Sequence, residues 1–505
     1  MKINKIFLSI LLLAFVVSSC EKEFLETAPT DQLEAGTMFE SLEGAEAALN
    51  GMYRYMYAFD PEYGNHDAFG HMAVNVEMDM MGEDMVGHVL AHGWFGQRYN
   101  WRTHRNADGG MTHLRWYVYY KVILNANMII ANVPDLEDAL PSERNRVMAQ
   151  AKAARAFAYY QLVQLYAPAY HVNPDAPAVP IYTEPSEDGH PRAALRDVYE
   201  QIEADLSEAI DLFDGSTAQA HKSHISLPVV HGLYARAALA KGDWSVAREH
   251  AEAAINLSGA SLFAIEDFPP PFEGLATYSR NQLFNNVGAD EWMWGMEINE
   301  EQATIFASFF SHMDPLTFSY AQLSNQKLIS HGEEGLYYRM SETDVRRNFW
   351  AAPEYAESYV VPYCQLKFVT QRDGSWEGDY VFMRLAEMYL IKAEAEARDG
   401  QYGDAAQTLF ELMQNRDPEY ELSTATGQDL IDEIMFHRAV ELWGEGFNWI
   451  DLKRTGQPLD RQNKGHSEQL AITLYEEADT DRWVWLIPTD EINANDAISS
   501  GDQNP

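Results

Sequence analysis

One stretch of this chain interleaves flat rings with planar polar groups: Trp94, Phe95, Gln97, Arg98, Tyr99, Asn100, Trp101 and Arg102. Indole and phenol faces suit the apolar side of a pyranose ring, while amide and guanidinium groups match the hydroxyls around its edge. Asp79, Glu83 and Asp84, just upstream, add acceptors. A second aromatic group, Trp292 and Trp294 with Tyr320 further on, offers the same ring chemistry. Its Trp-Met-Trp alternation puts both indoles on one face of a strand, and that face serves a ligand or a core equally well. For each of these rings the competing role is to fill the core beneath a long loop.

Chemistry that needs a catalytic or metal centre finds less support. His88 and His92 stand four apart with His66, Asp67 and His71 upstream, a spacing that places metal ligands on one face of a helix. Gly87 and Gly93 beside them favour a loop, and no His-Glu-x-x-His is present. The 77 acidic residues supply chance carboxylate pairs throughout, so counting identifies no glycoside-hydrolase pair. There is no Gly-x-Ser-x-Gly and no phosphate-binding loop. The expectation is a binding protein with no catalytic residue, metal or cofactor. The alternative from another class is a surface hydrolase on a helical scaffold.

Composition narrows the partners. Hydrophobic residues make up 46% and aromatics 12% of the 505 residues, so the chain folds. With 36 basic against 77 acidic residues the formal charge is −41, which repels a phosphate backbone and excludes nucleic acid as a partner. The acidity itself reads as a solubility adaptation, or as a means of attracting cations.

At the front, Lys2 and Lys5 precede an apolar run from Ile6 to Val17 that ends in Val17-Ser18-Ser19-Cys20. The run is short for a permanent membrane span. Small residues before a cysteine resemble a bacterial lipobox, in which Cys20 carries the lipid; the alternative is an ordinary secretory signal with a chance cysteine. Cys364 is the other of two cysteines, so an exported chain here stands without disulfides and relies on the size of its core. Residues 1–19 are expected to form the leader, 20–38 a tether and 39–505 the body.

Helices must position the aromatic stretches. Apolar residues recur at helical spacing in segments 41–57, 114–131, 142–166, 195–213 and 430–452. Leu239-Ala240-Lys241-Gly242-Asp243-Trp244, followed by Ala247 and Ala254, has the small-residue spacing of a tetratricopeptide helix pair. Asp399-Gly400-Gln401-Tyr402, with Ala405 and Leu412, repeats it at a distance. About eight helices are expected, with irregular stretches from Ala58 to His113 and from Leu257 to Asp379. Loops of that length inside a folded body are usually functional. The fold class is mostly α: a right-handed scaffold of tetratricopeptide-like helix pairs carrying a loop-rich irregular layer, divided into an N-terminal part, 39–256, and a C-terminal part, 257–505.

Several stretches in order resemble the SusD/RagB family. They include Phe39-Glu40-Ser41 before Ala47-Ala48-Leu49-Asn50-Gly51-Met52-Tyr53, then Ala126-Asn127, the run from Ala151 to Tyr166, Val179-Pro180-Ile181 and Val198 to Leu206. The most specific is Glu441-Leu442-Trp443-Gly444-Glu445-Gly446-Phe447-Asn448-Trp449-Ile450-Asp451-Leu452-Lys453-Arg454, followed by Trp485 to Asn495 and Asn504-Pro505. Ala167, His437 and Asn448 depart from the family pattern at positions where glycine, glutamate and arginine are usual. These motifs are expected to be structural: Arg438 within a turn of Glu441, Trp443 and Trp449 as apolar anchors, Asp451 paired locally with Arg454.

The resemblance implies a SusD-like α/α superhelix and a surface-exposed outer-membrane lipoprotein. Such a protein partners a SusC-like TonB-dependent barrel and delivers an oligosaccharide to it; a peptide cargo, as on the RagB side of the family, is the alternative. Glu21-Lys22-Glu23 looks like the acidic export tags of Bacteroidetes surface lipoproteins. In proteins similar to this one the loop after the first helix contributes to the ligand platform. The expected ligand-binding residues are therefore Trp94, Arg98, Asn100, Trp101, Asp79 and Asp84, with Trp292, Trp294 and Tyr320.

Overall fold

Helices dominate the computed structural model, which describes residues 38–60, 65–90, 92–276, 278–355 and 359–505. The expected leader, Cys20 and the tether through residue 37 lie outside the described residues. The first helix, α1 (Leu42–Tyr55), starts where the Ser41 hydroxyl accepts from Gly44 N–H at 3.2 Å, and it buries Ala45, Ala48, Leu49, Met52 and Tyr53 along one face. α2 (His71–Met81) follows, then α3 (Gly110–Asn132), α4 (Pro141–Tyr166) and α5 (Leu195–Phe213).

α4 is the axis of this half. Pro141 stands in its first turn, and the Glu143 carboxylate accepts from Leu140 N–H at 2.8 Å. Every residue from Ala153 to Tyr166 is buried, because α1, α3, α5 and the next helix all pack on it. Its C-terminal carbonyls are satisfied from far away. Lys453 Nζ donates to Gln164 and Ala167 at 2.5 and 2.7 Å, and Asn504 Nδ2 donates to Tyr166 at 2.9 Å. Ala167 has φ −129°, so a glycine is not required there.

The two helix pairs use one device. α6 (Leu227–Lys241) ends at Gly242, φ +85°, and Asp243 N–H returns to Ala238 O before Asp243 caps α7 (Trp244–Leu257). α8 (Leu385–Arg398) ends the same way: Gly400 has φ +80° and Gln401 N–H returns to Glu396 O ahead of α9 (Tyr402–Met413). Buried Ala247, Ala251 and Ala254 let α7 lie close to both α6 and α8, so the dispersed pairs join into one stack.

Two expectations are corrected. The helix expected over 430–452 is two, α10 (Gln428–Glu441) and α11 (Asn448–Arg454), since Gly444 and Gly446 take φ +82° and +89° between them. The stretch from Ala58 to His113 is not wholly irregular: it contains α2, all eleven residues of which are buried. A helix buried on every side has no amphipathic period to betray it.

Short antiparallel ribbons stiffen the loop layer. β1 (Met85–Gly87) pairs with the later Lys327–Ile329, β2 (Pro177–Pro180) with β3 (Arg192–Ala194), and β4 (Trp292–Met296) with the later Tyr380–Arg384; those two later strands are β5 and β6. Among the described residues no helix is long and apolar enough to cross a membrane.

A buried charge network joins this layer to the last helices. Arg384 on β6 pairs with Glu291, with Glu441 at 3.0 Å and with Glu445 at 2.7 Å. Arg416 bridges Glu291 and Glu441 at 2.7 and 3.0 Å, Arg346 reaches Glu441 at 3.2 Å, and Lys367 reaches Glu445 at 2.7 Å. Arg438 pairs instead with Asp451, which also holds Arg454, and Arg454 continues to Glu394. His437 is buried and its Nδ1 lies 3.0 Å from Arg346 Nη2; burial, then the Arg346 charge, pushes its pKa well below the usual histidine range, so the ring accepts that hydrogen bond as a neutral base.

Burial alone would raise the Glu441 carboxyl, but the guanidiniums of Arg416, Arg384 and Arg346 outweigh it and hold the pKa well below the usual range. Glu394, beside Arg454, falls to about 2 against the same opposing burial. Groups depressed in the folded state contribute stability above the unfolded value of 4.5 and lose it as pH falls through the folded value. Glu441→Gln is expected to cost about 3–5 kcal/mol in urea denaturation at pH 7, because it leaves three buried guanidiniums short of an anion. It also flattens the acid-side loss of stability below pH 4.5. Glu208→Gln, on the surface pair with Lys152, is expected to cost under about 1 kcal/mol.

Candidate functional site

The aromatic loop rests on ion pairs at its base. Arg98 sits in a single helical turn, Gly96–Tyr99, and reaches Glu77 of α2 at 2.5 Å and Asp67 at 2.9 Å; Arg115 of α3 meets the same Glu77 at 2.6 Å. All four groups are buried. With its base clamped, the loop turns sharply. His92, Phe95 and Trp101 take φ +69°, +62° and +59°, a left-handed conformation that costs a side-chain-bearing residue about 1–3 kcal/mol and persists only where surrounding contacts hold it.

The loop therefore has an inner and an outer edge. Phe95, Arg98, Tyr99 and Trp101 point inward and are buried. Trp101 donates from Nε1 to Met81 O at 2.8 Å and meets the Trp483 ring edge-on at 4.8 Å. His92, Gln97 and Arg102 are exposed, and Trp94 and Asn100 are half-buried.

On the outer edge a cluster of rings gathers from three segments. The His66 imidazole lies between Trp94, at 5.4 Å and 27°, and Phe306, at 6.1 Å and 1°. Tyr320 closes the group: its hydroxyl is 2.6 Å from His66 Nδ1, and its ring is 6.0 Å from Trp94, 4.9 Å from Phe306 and 5.2 Å from His92. Phe318, 53% exposed, extends the rim against Phe306, and the Trp376 indole donates to Phe318 O at 3.0 Å. The Trp94 Nε1 donor has no partner among the described residues.

Beneath lies a polar floor. His312 stacks under Tyr320 at 5.2 Å and hydrogen bonds to His66 O at 3.0 Å; burial, then the Lys327 charge, pushes its pKa well below the usual histidine range. Lys327 is buried beside Phe95 and donates to Asn325 O at 2.9 Å, and burial lowers its pKa to about 7.

The structure brings Trp94 and Tyr320 together and takes the other expected residues elsewhere. Arg98 is in the base clamp and Trp101 in the core. The Asp79 carboxylate accepts the N–H groups of Gly446 and Asn448 at 3.0 and 3.1 Å, and burial outweighs them to push its pKa up to about 7. Asp84 accepts from Ser330 at 2.9 Å and from Asn448 Nδ2 at 2.7 Å. Asn448, where arginine is usual, thus ties the C-terminal motif to the end of α2. Trp292 and Trp294 are fully buried on β4, their indoles donating to Leu283 O and Ser223 O, which is the core role that their alternation allowed. Asn100 stands at the turn out of the loop, its side-chain oxygen buried without a partner among the described residues.

The histidines also separate. His71 is buried against Tyr119, His88 lies in a bend after β1, and His66 and His92 join the ring cluster. Among the described residues no three His, Cys, Asp or Glu converge as metal ligands would. The sequence pointed to neither Phe306, Phe318 nor Trp376; their shared signal is an aromatic among Ser, Gly and Ala in the second long loop region.

A helical stack carrying an irregular layer is an architecture that other proteins share. The SusD-like carbohydrate binding protein from Bacteroides vulgatus superposes with a TM-score of 0.76 at 26% identity, over 92% of this chain and 98% of that one. The surface glycan-binding protein A from Bacteroides thetaiotaomicron, solved with laminarihexaose, has the same fold, with a TM-score of 0.66 at 18% identity over 92% and 99%. SusD-like protein P2 from Formosa agariphila is 24% identical over 485 residues, 90% of this chain and 91% of that one. The family model for the SusD family matches residues 283–505, and the one described as starch-binding associating with outer membrane matches 23–239. The chain belongs to the SusD/RagB family.

The inner and outer edges of the loop respond differently to truncation. Trp101→Ala is expected to cost about 3–5 kcal/mol in urea denaturation, and Arg98→Met about as much, because Asp67 loses its ion pair and Glu77 keeps only Arg115. Trp94→Ala is expected to cost clearly less than either.

Proposed function

We propose that this protein captures an oligosaccharide at the cell surface and passes it to a SusC-like TonB-dependent barrel, without itself being an enzyme. The observation that carries this reading is the ring cluster of His66, Trp94, Phe306 and Tyr320 with the exposed edge of Phe318. Half-buried His66, Trp94 and Phe306, braced by the buried Tyr320 and edged by the exposed Phe318, form a shallow platform that packs against successive sugars while leaving their hydroxyls wet. A shallow site gives modest affinity and easy release, as a subunit that hands its cargo onward requires.

Family membership, with the matched family described as starch-binding associating with outer membrane, supports the location. The rest follows in the same reading. Residues 1–19 are the leader, Cys20 carries a lipid, 20–38 form a tether facing the outside of the cell, and 39–505 form the folded body, with an N-terminal part to 256.

Affinity electrophoresis through gels containing plant, algal and microbial polysaccharides tests the platform. Retardation by at least one glycan is expected, weakened about tenfold or more by Trp94→Ala or Phe306→Ala with little change in melting temperature. Retention of peptides and of no glycan would sink the reading. Co-purification of the native protein with a TonB-dependent barrel, and no reducing ends released from the retained glycan, are the companion expectations.

A further inference from the structure

A second concave site adjoins the ring cluster. The groove between α1 and α3 has a volume of about 470 Å³ and is lined in part by Arg54, Tyr55, Phe59, Asp60, Tyr117 and Lys121. It is continuous with the platform through Phe59, whose ring meets His66 edge-on at 6.4 Å. The Lys121 ammonium lies over two rings at once, 5.0 Å from the centre of Tyr55 and 4.3 Å from that of Tyr117. Asn125, also on the groove, is fixed by its hydrogen bond to Lys121 O at 2.8 Å.

The charge pattern is unusual for this chain. With 77 acids to 36 bases, most lysines and arginines of the body are in contact with a carboxylate. Among the described residues neither Arg54 nor Lys121 has a carboxylate within ion-pair distance, although the Asp60 charge acts on Lys121, and both line one groove. Asp60 is the acid on the same lining. Two cations without an ion pair among the described residues, set beside the exposed Tyr55 and the half-buried Tyr117, suit a ligand that carries both a sugar ring and a negative charge.

We infer that the Arg54–Lys121 groove receives an anionic substituent, a uronic carboxylate or a sulfate ester, on a sugar next to the one held by the ring cluster. This rests on the glycan reading above and narrows its ligand to acidic oligosaccharides.

The test is an array of paired glycans: oligogalacturonates with and without methyl esterification, sulfated galactans with and without desulfation, and neutral glucans. The full chain is expected to hold an acidic member about tenfold more tightly than its neutral counterpart, more weakly as salt rises. Arg54→Gln with Lys121→Gln is expected to erase that preference, while neutral glycans and the melting temperature stay unchanged. Sensitivity to esterification identifies a carboxylate, and sensitivity to desulfation a sulfate. Equal binding of paired members, or a preference that survives the double variant, overturns the groove while retention lost on Trp94→Ala leaves the platform standing. Retention of no glycan, acidic or neutral, overturns both.

Discussion

Glu441 is the residue at which the loop layer and the last helices are joined. Its two oxygens receive guanidiniums from the loop layer, Arg346 and Arg384, and from the segment after α9, Arg416. Each partner is buried, so no single pair recovers its own desolvation; the cluster holds because each oxygen has several donors and each guanidinium several acceptors. The Glu441 to Lys453 stretch is thus a keystone, reaching β6, α2 through Asp79, and the end of α4 through Lys453.

From that frame the ring cluster obtains rigidity without belonging to the hydrophobic core. Phe95 and Trp101 are wedged inward in left-handed conformations, Arg98 is clamped to α2 and α3, and the rings on the opposite edge of the loop remain near water. Conformational cost is placed in the loop and offset by the buried base, so the exposed face is ordered before anything binds.

Much of the fold was legible because its signals are local. Gly242 and Gly400 each mark a helix end followed by a partner helix, and the periodic faces of α1 and α5 name their buried residues directly. What stayed hidden depended on distant contacts. α2 has no polar face, and the break between α10 and α11 is set by two glycines inside a motif that otherwise reads as helical. The site was partly visible: Trp94 and Tyr320, named as candidates in two separate stretches, stand in one cluster, while Trp101, Trp292 and Trp294, indoles of the same kind, lie in the core. Composition names candidate rings; only the turn at Phe95 and the ribbon of β4 with β6 decide which of them reach the surface.

The end of α4 shows how this architecture comes together in time. Its last carbonyls wait for donors on Lys453 and Asn504, the latter separated from Tyr166 by 338 residues. A ribosome therefore releases the early helices well before the groups that close their core exist, and closure is a late, concerted event with a high loop-closure cost. An incomplete chain remains open along its central axis.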